Sequence, residues 1–193
     1  MNILIDKLPS TLKVGGNFYK INSDFRTSIL FELMMQDRSL SNQEKLIAAI
    51  ELYYKEIPQD LGEAINQIVW FYKCGKEEKV KEDSSNVNST QKQIYSYEYD
   101  AEYIYSAFLS QYRIDLQDAE DLHWWKFKAM FQGLNDSNEI IKIMGYRALD
   151  LSEIKDKKQT AHFRKLKNLY KLPDNRTEAE KEQMVADAFS SLF

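Results

Sequence analysis

Apolar residues recur every three or four positions along most of the chain, which is the spacing of amphipathic α-helices. Three helices are predicted to begin after the capping residues Asp24, Ser41 and Asp60, and the third is predicted to end at Cys74-Gly75. Beyond residue 93 the same spacing predicts helices over 100–112, 118–133, 138–149 and 152–171, and one that begins at Thr177. The pattern therefore predicts a mostly α-helical protein.

Two stretches show the pattern of β-strands instead of helical periodicity. Residues 11–14 and 18–21 are β-prone runs on either side of Gly15-Gly16-Asn17, a sequence that permits the positive φ angles of a tight turn. They predict an N-terminal β-hairpin, which must lie against the helices or pair with another chain because an isolated hairpin is marginally stable. Tyrosines alternate with polar residues over 95–99 and predict a short strand-like lead into the next helix.

Residues 76–93 interrupt the helical pattern with charged residues, Ser and Asn, and include only two apolar residues. Such a segment cannot bury enough apolar surface to offset its ordering entropy, so we predict a flexible polar linker. The linker divides the chain into a hairpin plus three-helix subdomain over 1–75 and a helical subdomain over 94–193. The predicted fold is thus a helical bundle with an N-terminal β-hairpin, packed as two subdomains or as one bundle.

The composition of the 193 residues supports this interpretation and narrows the class of protein. Six Gly and three Pro are too few for a β-sandwich or barrel, and a single cysteine, Cys74, excludes an intrachain disulfide. No apolar run is long enough to span a bilayer, and the first residues lack a basic segment followed by a long apolar stretch. We expect a cytoplasmic protein with no membrane partner.

Candidate catalytic and ligand-binding residues are few. His123 and His162 fall in predicted helices and are not accompanied by a nucleophile motif. One acidic cluster lacks the spacing of a calcium-binding loop; it consists of Asp115, Asp118, Glu120 and Asp121. The last three fall at the start of a predicted helix, where the helix dipole favours acidic side chains. The sequence also lacks a phosphate-binding glycine loop. We therefore expect no catalytic, metal-binding or cofactor-binding residues and predict that the protein is not an enzyme.

Two other features indicate binding to a partner. Residues 155–171 contain seven Lys or Arg against a single acid, Asp156, and aromatic residues make up 13% of the chain. The side chains of a basic helix most often face solvent, but such a helix can also bind an acidic protein or nucleic acid. The acidic stretch 98–121 is its candidate counterpart, within one subunit or between two. The hypothetical partner-binding residues are Trp124, Trp125, Lys158, Arg164 and Lys165.

Several motifs in the second half of the chain resemble one family. They are Tyr99-Asp100, Tyr112-Arg113-Ile114-Asp115-Leu116, Leu122-His123-Trp124-Trp125-Lys126-Phe127 and Gly133-Leu134. Together they resemble the bacteriophage gene-product-fifteen family, which occurs in the tail-gene modules of long-tailed phages and of prophages in Gram-positive bacteria. Arg113 stands where the family's Tyr-Gly-Ile-Asp-Leu turn has glycine. The resemblance covers nearly the full length apart from the polar linker.

The resemblance implies a tail-assembly chaperone that binds the tape-measure protein during tail assembly and leaves before the virion is complete. Tail-tube subunits and a second copy of the chain are further candidate partners. Two alternatives stay open: a structural tail component that is retained in the virion, and a nucleic-acid-binding regulator that uses the basic helix 155–171. The net charge of −4 does not favour nucleic acid as the partner.

Overall fold

A computed structural model describes residues 1–76 and 93–173. These residues form a two-stranded hairpin, β1 (Thr11–Val14) and β2 (Asn17–Lys20), and a set of helices. The helices are α1 (Phe25–Gln36), α2 (Asn42–Tyr53), α3 (Leu61–Tyr72), α4 (Ala101–Tyr112), α5 (Trp124–Gln132), α6 (Glu139–Ala148) and α7 (Lys157–Leu169), with a 3-10 helix at Leu151–Glu153. The prediction of a mostly α fold with an N-terminal hairpin is confirmed.

The predicted hairpin forms and lies against a helix. β1 pairs with β2 in antiparallel register, with Thr11 opposite Lys20, and the alternate residues Leu12 and Val14 are buried. The Gly15 N–H donates to the Glu63 carboxylate of α3 at 2.7 Å and so fastens the turn to the helix. Burial of one face against α3 supplies the packing that an isolated hairpin lacks.

The first three helices begin at the predicted caps. The side chains of Asp24 and Asp60 accept hydrogen bonds from the first backbone N–H groups of α1 and α3. Ser41 and Glu44 form a reciprocal capping box at the start of α2. α3 ends as predicted, because Gly75 has a φ of +68° and a Cβ there would lie 2.9 Å from the Trp125 ring.

Three local predictions are wrong. The helix predicted to begin at residue 118 begins at Trp124, because the backbone of His123 and Trp124 first pairs with residues 23–24 in a short antiparallel bridge. The helix predicted over 152–171 begins only at Lys157, after a 3-10 turn and the cap Asp156. Residues 95–99 form no strand. Instead they lead into α4 through a turn in which the Asp100 carboxylate accepts from the Ser96 N–H.

The chain divides into two compact units, Met1–Gly145 and Tyr146–Phe193. In the first unit one core takes side chains from before and after residues 77–92: Phe25 stacks on Phe127 at 4.8 Å, and Phe71 packs against Trp125. Side chains from both predicted subdomains, 1–75 and 94–193, thus contribute to this core. Residues 77–92 of the predicted linker and the predicted helix from Thr177 lie outside the described residues.

The described part of the second unit is small and is organised around one aromatic pair. The ring of Tyr146 stacks on Tyr170 with a centroid separation of 5.9 Å. The buried Arg147 donates from Nε to the Tyr170 carbonyl at 2.6 Å. The Lys167 ammonium donates to the Leu149 carbonyl. These contacts attach the last turn of α7 to the end of α6.

Candidate protein-binding surfaces

Trp124 and Trp125, two of the predicted partner-binding residues, are buried at the start of α5. Each indole N–H donates at 2.8 Å to a backbone carbonyl at the end of α3, Trp124 to Tyr72 and Trp125 to Phe71. The last carbonyl groups of a helix have no partner within the helix, and the Trp124 indole supplies one for Tyr72. The Phe71 carbonyl accepts from the Cys74 N–H as well as from the Trp125 indole. The two tryptophans join α3 to α5 and do not form part of the exposed surface, which corrects the sequence-based hypothesis.

The aromatic cluster around Trp124 also immobilises a cation. The Trp124 ring stacks on Tyr72 at 5.4 Å. The Lys128 ammonium lies 5.2 Å from the Trp124 ring centroid and donates to the Tyr95 hydroxyl at 3.0 Å. A half-buried lysine held by a ring face and a hydroxyl contributes to the packing of α5. Most of the aromatic richness seen in the sequence is therefore explained by the core.

His123 is the N-cap of α5, and both of its ring nitrogens are engaged. Nδ1 accepts from the Trp125 N–H at 3.1 Å, so the proton resides on Nε2, which donates to the Pro9 carbonyl at 3.0 Å. Burial holds the pKa of His123 below its usual value because the charged ring loses hydration. A neutral histidine with two occupied nitrogens ties Pro9 to α5 and has no free nitrogen for proton transfer.

The acidic cluster lies in a loop that Arg26 of α1 organises. The guanidinium donates to the carbonyls of Leu116, Gln117 and Ala119 at 2.6, 3.2 and 3.1 Å. The backbone N–H of Gln117 donates to the Asp115 carboxylate and lowers its pKa, and the Tyr105 hydroxyl adds a second hydrogen bond. Within residues 1–76 and 93–173, no group of three or more His, Cys, Asp or Glu is arranged to hold a metal ion.

α7 carries the other three predicted partner-binding residues, Lys158, Arg164 and Lys165, and all three are exposed. The helix contains five Lys or Arg and no acidic residue, and none of its side chains is buried. Lys158 and Lys165 are seven residues apart and share one face with Leu169, which is also exposed. His162 lies exposed on the same helix, with its ring against Phe163. The accessible surface of α7 is thus a cationic face that ends in one apolar side chain.

A second surface, which the sequence analysis missed, is an apolar groove between α2 and α3. The groove has a volume of about 420 Å³, and Leu46, Ile47 and Leu61 on its walls are each about half exposed. The rest of the lining is Gln43, Ile50, Gly62 and Ile65. Helical spacing places the apolar lining residues on the apolar faces of α2 and α3, yet Ile50 is buried whereas Leu46, Ile47 and Leu61 are exposed. Periodicity shows which face of a helix is apolar but does not show where the covering element ends.

Comparison with known proteins identifies the family. No described helix is long and apolar enough to cross a membrane. Neither a curated protein nor a solved structure matches the chain. A family model with the description Bacteriophage Gp15 protein matches residues 4–172, a stretch that includes the aromatic core, the α2–α3 groove and α7. The chain therefore belongs to the Bacteriophage Gp15 protein family.

Proposed function

We propose that the protein is a non-enzymatic chaperone of phage tail assembly that binds the tape-measure protein in the host cytoplasm. Family membership supports a role in a phage, and the cationic face of α7 is the observation that carries the binding function. A helix with five cations, no acid and no buried side chain contributes little to a core. It is suited to contact the acidic side of another helix.

The chemistry of this face matches a helical client. A tape-measure protein is expected to be a long, largely helical chain that exposes apolar and charged stripes until the tail is built around it. Lys158, Arg164 and Lys165 would pair with its acidic side chains, and Leu169 would contact an adjacent apolar position. Exposed ion pairs contribute about 0–1 kcal/mol each, so a single contact is readily reversed. Many copies along one client would provide the avidity to keep it covered.

Charge reversal on α7 tests the proposal. The tagged protein is co-expressed with the products of the neighbouring tail genes, and the proteins that co-purify are identified by mass spectrometry. We expect the tape-measure protein to co-purify with the wild type and to be lost from the triple variant Lys158→Glu, Arg164→Glu, Lys165→Glu. The matched control reverses three exposed cations of the first unit: Lys13→Glu, Lys20→Glu, Lys126→Glu. Equal recovery of the tape-measure protein with the α7 variant would contradict the proposal.

Two further measurements separate this function from the alternatives. A chaperone should be absent from purified virions, whereas a structural tail component would be detected in them by mass spectrometry. A nucleic-acid-binding regulator would bind labelled duplex DNA at low salt, with an affinity that falls steeply as salt is added. We expect this chain to be absent from purified virions, and we expect the wild type not to bind DNA at low salt.

A further inference from the structure

α7 has an apolar stripe with cations beside it. Phe163 and Leu166 are half-buried and Leu169 is 72% exposed, and their spacing of three residues places them along one side of the helix. Lys158 and Lys165 are seven residues apart on one flank of this stripe, and both are exposed. A stripe that is apolar in the middle and charged at its edge is the surface that one helix typically presents to another.

The acidic segment, residues 174–193, lies outside the described residues, and its sequence is complementary to this surface. The segment contains five acidic and two basic residues, whereas α7 contains five basic residues and no acidic one. The helix predicted to begin at Thr177 has one apolar side, which consists of Met184, Val185, Ala188 and Leu192. The two basic residues, Arg176 and Lys181, come before that side begins. An acidic amphipathic segment thus follows a basic amphipathic helix in the chain.

Two pairs of opposite charges match in a single antiparallel register. Glu180 and Asp187 are seven residues apart on one flank of the predicted apolar side, the same spacing as Lys158 and Lys165 on α7. When two helices pack antiparallel through their apolar stripes, equivalent flanks face each other. Lys165 then lies opposite Glu180, and Lys158 lies opposite Asp187. Charged residues beside an apolar seam set the choice and orientation of the partner helix.

The connection between the two segments has a length that suits antiparallel neighbours. Seven residues, 170–176, separate α7 from Thr177, and connections of about two to eight residues join helices that pack side by side. The start of the connection is fixed, because Tyr170 stacks on Tyr146 near the end of α6. α7 and the acidic segment also belong to the same compact unit.

We propose that residues 177–193 of the acidic segment pack antiparallel on α7 and cover the face to which the tape-measure protein would bind. The intrachain contact is independent of any client, whereas the competition with a client rests on the function proposed above. Because the segment is tethered to α7, it excludes partners that bind the helix only weakly. Exposed ion pairs are individually weak, so a client helix that offers more of them displaces the segment.

Exchange of charges in the purified full-length chain tests the contact without a client. Hydrogen–deuterium exchange with mass spectrometry measures the protection of the α7 amides. The acidic-segment variant is Glu180→Lys, Asp187→Lys, and the α7 variant is Lys158→Glu, Lys165→Glu. Each places like charges opposite one another, so the α7 amides should exchange about three- to tenfold faster than in the wild type. The combined variant restores both pairs with their signs reversed and should regain wild-type protection.

Controls make the result specific to this contact. Glu51→Lys, Glu56→Lys reverses two exposed acids of the first unit and should leave the exchange of α7 unchanged. Circular dichroism melting checks folding, and if a double variant unfolds, the single pair Lys158→Glu and Asp187→Lys takes its place. Unchanged exchange of α7 in the acidic-segment variant overturns the proposal, and so does a combined variant that stays unprotected. Protection that appears only as the protein concentration rises would assign the contact to a second copy and also overturn it.

Co-purification with the products of the neighbouring tail genes tests the competition. The acidic-segment variant should recover more tape-measure protein than the wild type, because the competing segment is weakened. The combined variant should recover none, because Lys158 and Lys165 are replaced. No gain with the acidic-segment variant would overturn the competition. A tape-measure protein that never co-purifies contradicts the proposed function and the competition together, whereas the exchange data decide the intrachain contact by themselves.

Discussion

Partner-binding residues were predicted from the sequence on both α5 and α7, but those on α5 are buried and those on α7 are not. The nine-residue α5 buries Trp124, Trp125, Phe127 and Phe131, whereas the 13-residue α7 buries no side chain. Aromatic density therefore marked the core and cation density marked the surface. The comparison shows that the chemistry of the side chains, and not unusual composition as such, decides whether a helix face is buried or exposed.

The difference has a physical cause in what each type of side chain requires. An indole ring gains from burial when its N–H finds an acceptor, and the end of α3 offers the carbonyls of Phe71 and Tyr72. A Lys or Arg side chain would have to give up the hydration of its charge and requires a paired acid or several acceptors to be buried. α7 contains no acid, and four of its five cations are exposed, while Lys167 donates to the Leu149 carbonyl.

The largest expected effect comes from removing one of the buried rings. Trp124→Ala should lower the free energy of unfolding by about 3–5 kcal/mol, because it leaves a cavity and removes the indole hydrogen bond to the Tyr72 carbonyl. Trp124→Phe keeps most of the apolar volume but loses the 2.8 Å hydrogen bond, and we expect a clearly smaller loss. Urea denaturation measures both. A loss below about 1 kcal/mol for Trp124→Ala would show that the ring does not hold α5 to α3.

The next effect concerns the cap of the same helix and depends on pH. The pKa of His123 is lower in the folded chain than its ordinary value of about 6.5, so the unfolded chain binds more protons between these two values. The free energy of unfolding should therefore fall as the pH drops through about 6.5 towards the lower folded pKa. Protonation also places a proton on Nδ1, which then cannot accept from the Trp125 N–H.

Substitution of the two histidines isolates this contribution. His123→Asn retains a side chain that can cap α5 but loses the bond to Pro9, so it should cost about 1 kcal/mol at pH 8 and reduce the dependence on pH. The control His162→Asn changes the exposed histidine of α7 and should keep the wild-type dependence. Denaturation curves recorded between pH 5 and 8 would refute the assignment if both variants behaved alike.

A smaller, stabilising effect is expected where α4 ends. Arg113 has a φ of +57°, in the left-handed region that costs a residue with a Cβ about 1–2 kcal/mol. Glycine adopts this conformation without the steric cost that a Cβ brings. Arg113→Gly should raise the free energy of unfolding by about 0.5–1 kcal/mol, since part of the gain is offset by the greater entropy of glycine in the unfolded chain.

The matched control at this position is Arg113→Ala, which removes the charge and keeps the Cβ. It should leave stability nearly unchanged, because the left-handed conformation and its strain remain. Thermal melting of both variants gives the comparison. Equal stabilisation by alanine and glycine would assign the effect to the guanidinium and not to the backbone.

The smallest effect on stability is expected on α7. The triple reversal Lys158→Glu, Arg164→Glu, Lys165→Glu alters exposed side chains, and each change should contribute within about 0.5 kcal/mol. The variant should melt close to the wild type while losing the tape-measure protein in the co-purification assay. A large drop in melting temperature would mean that α7 is stabilised by contacts of its cations.

The sequence alone predicted much of the local structure. The helix caps at Asp24, Ser41 and Asp60, the Gly15-Gly16 turn and the stop at Gly75 were all predictable, because each depends on residues within one turn of the backbone. The family was identifiable from motifs around His123-Trp124-Trp125, and the three exposed cations of α7 from their density.

Only tertiary structure decided where those elements face. α5 begins at Trp124 and not at the predicted residue 118, because His123 pairs with Asp24, which is far away along the chain. The burial of Trp124 and Trp125 depended on the position of the α3 carbonyls, and the exposure of Leu46, Ile47 and Leu61 depended on no other described element covering them. Hydrophobic periodicity records which face of a helix is apolar, whereas the partner that covers the face is set by long-range packing.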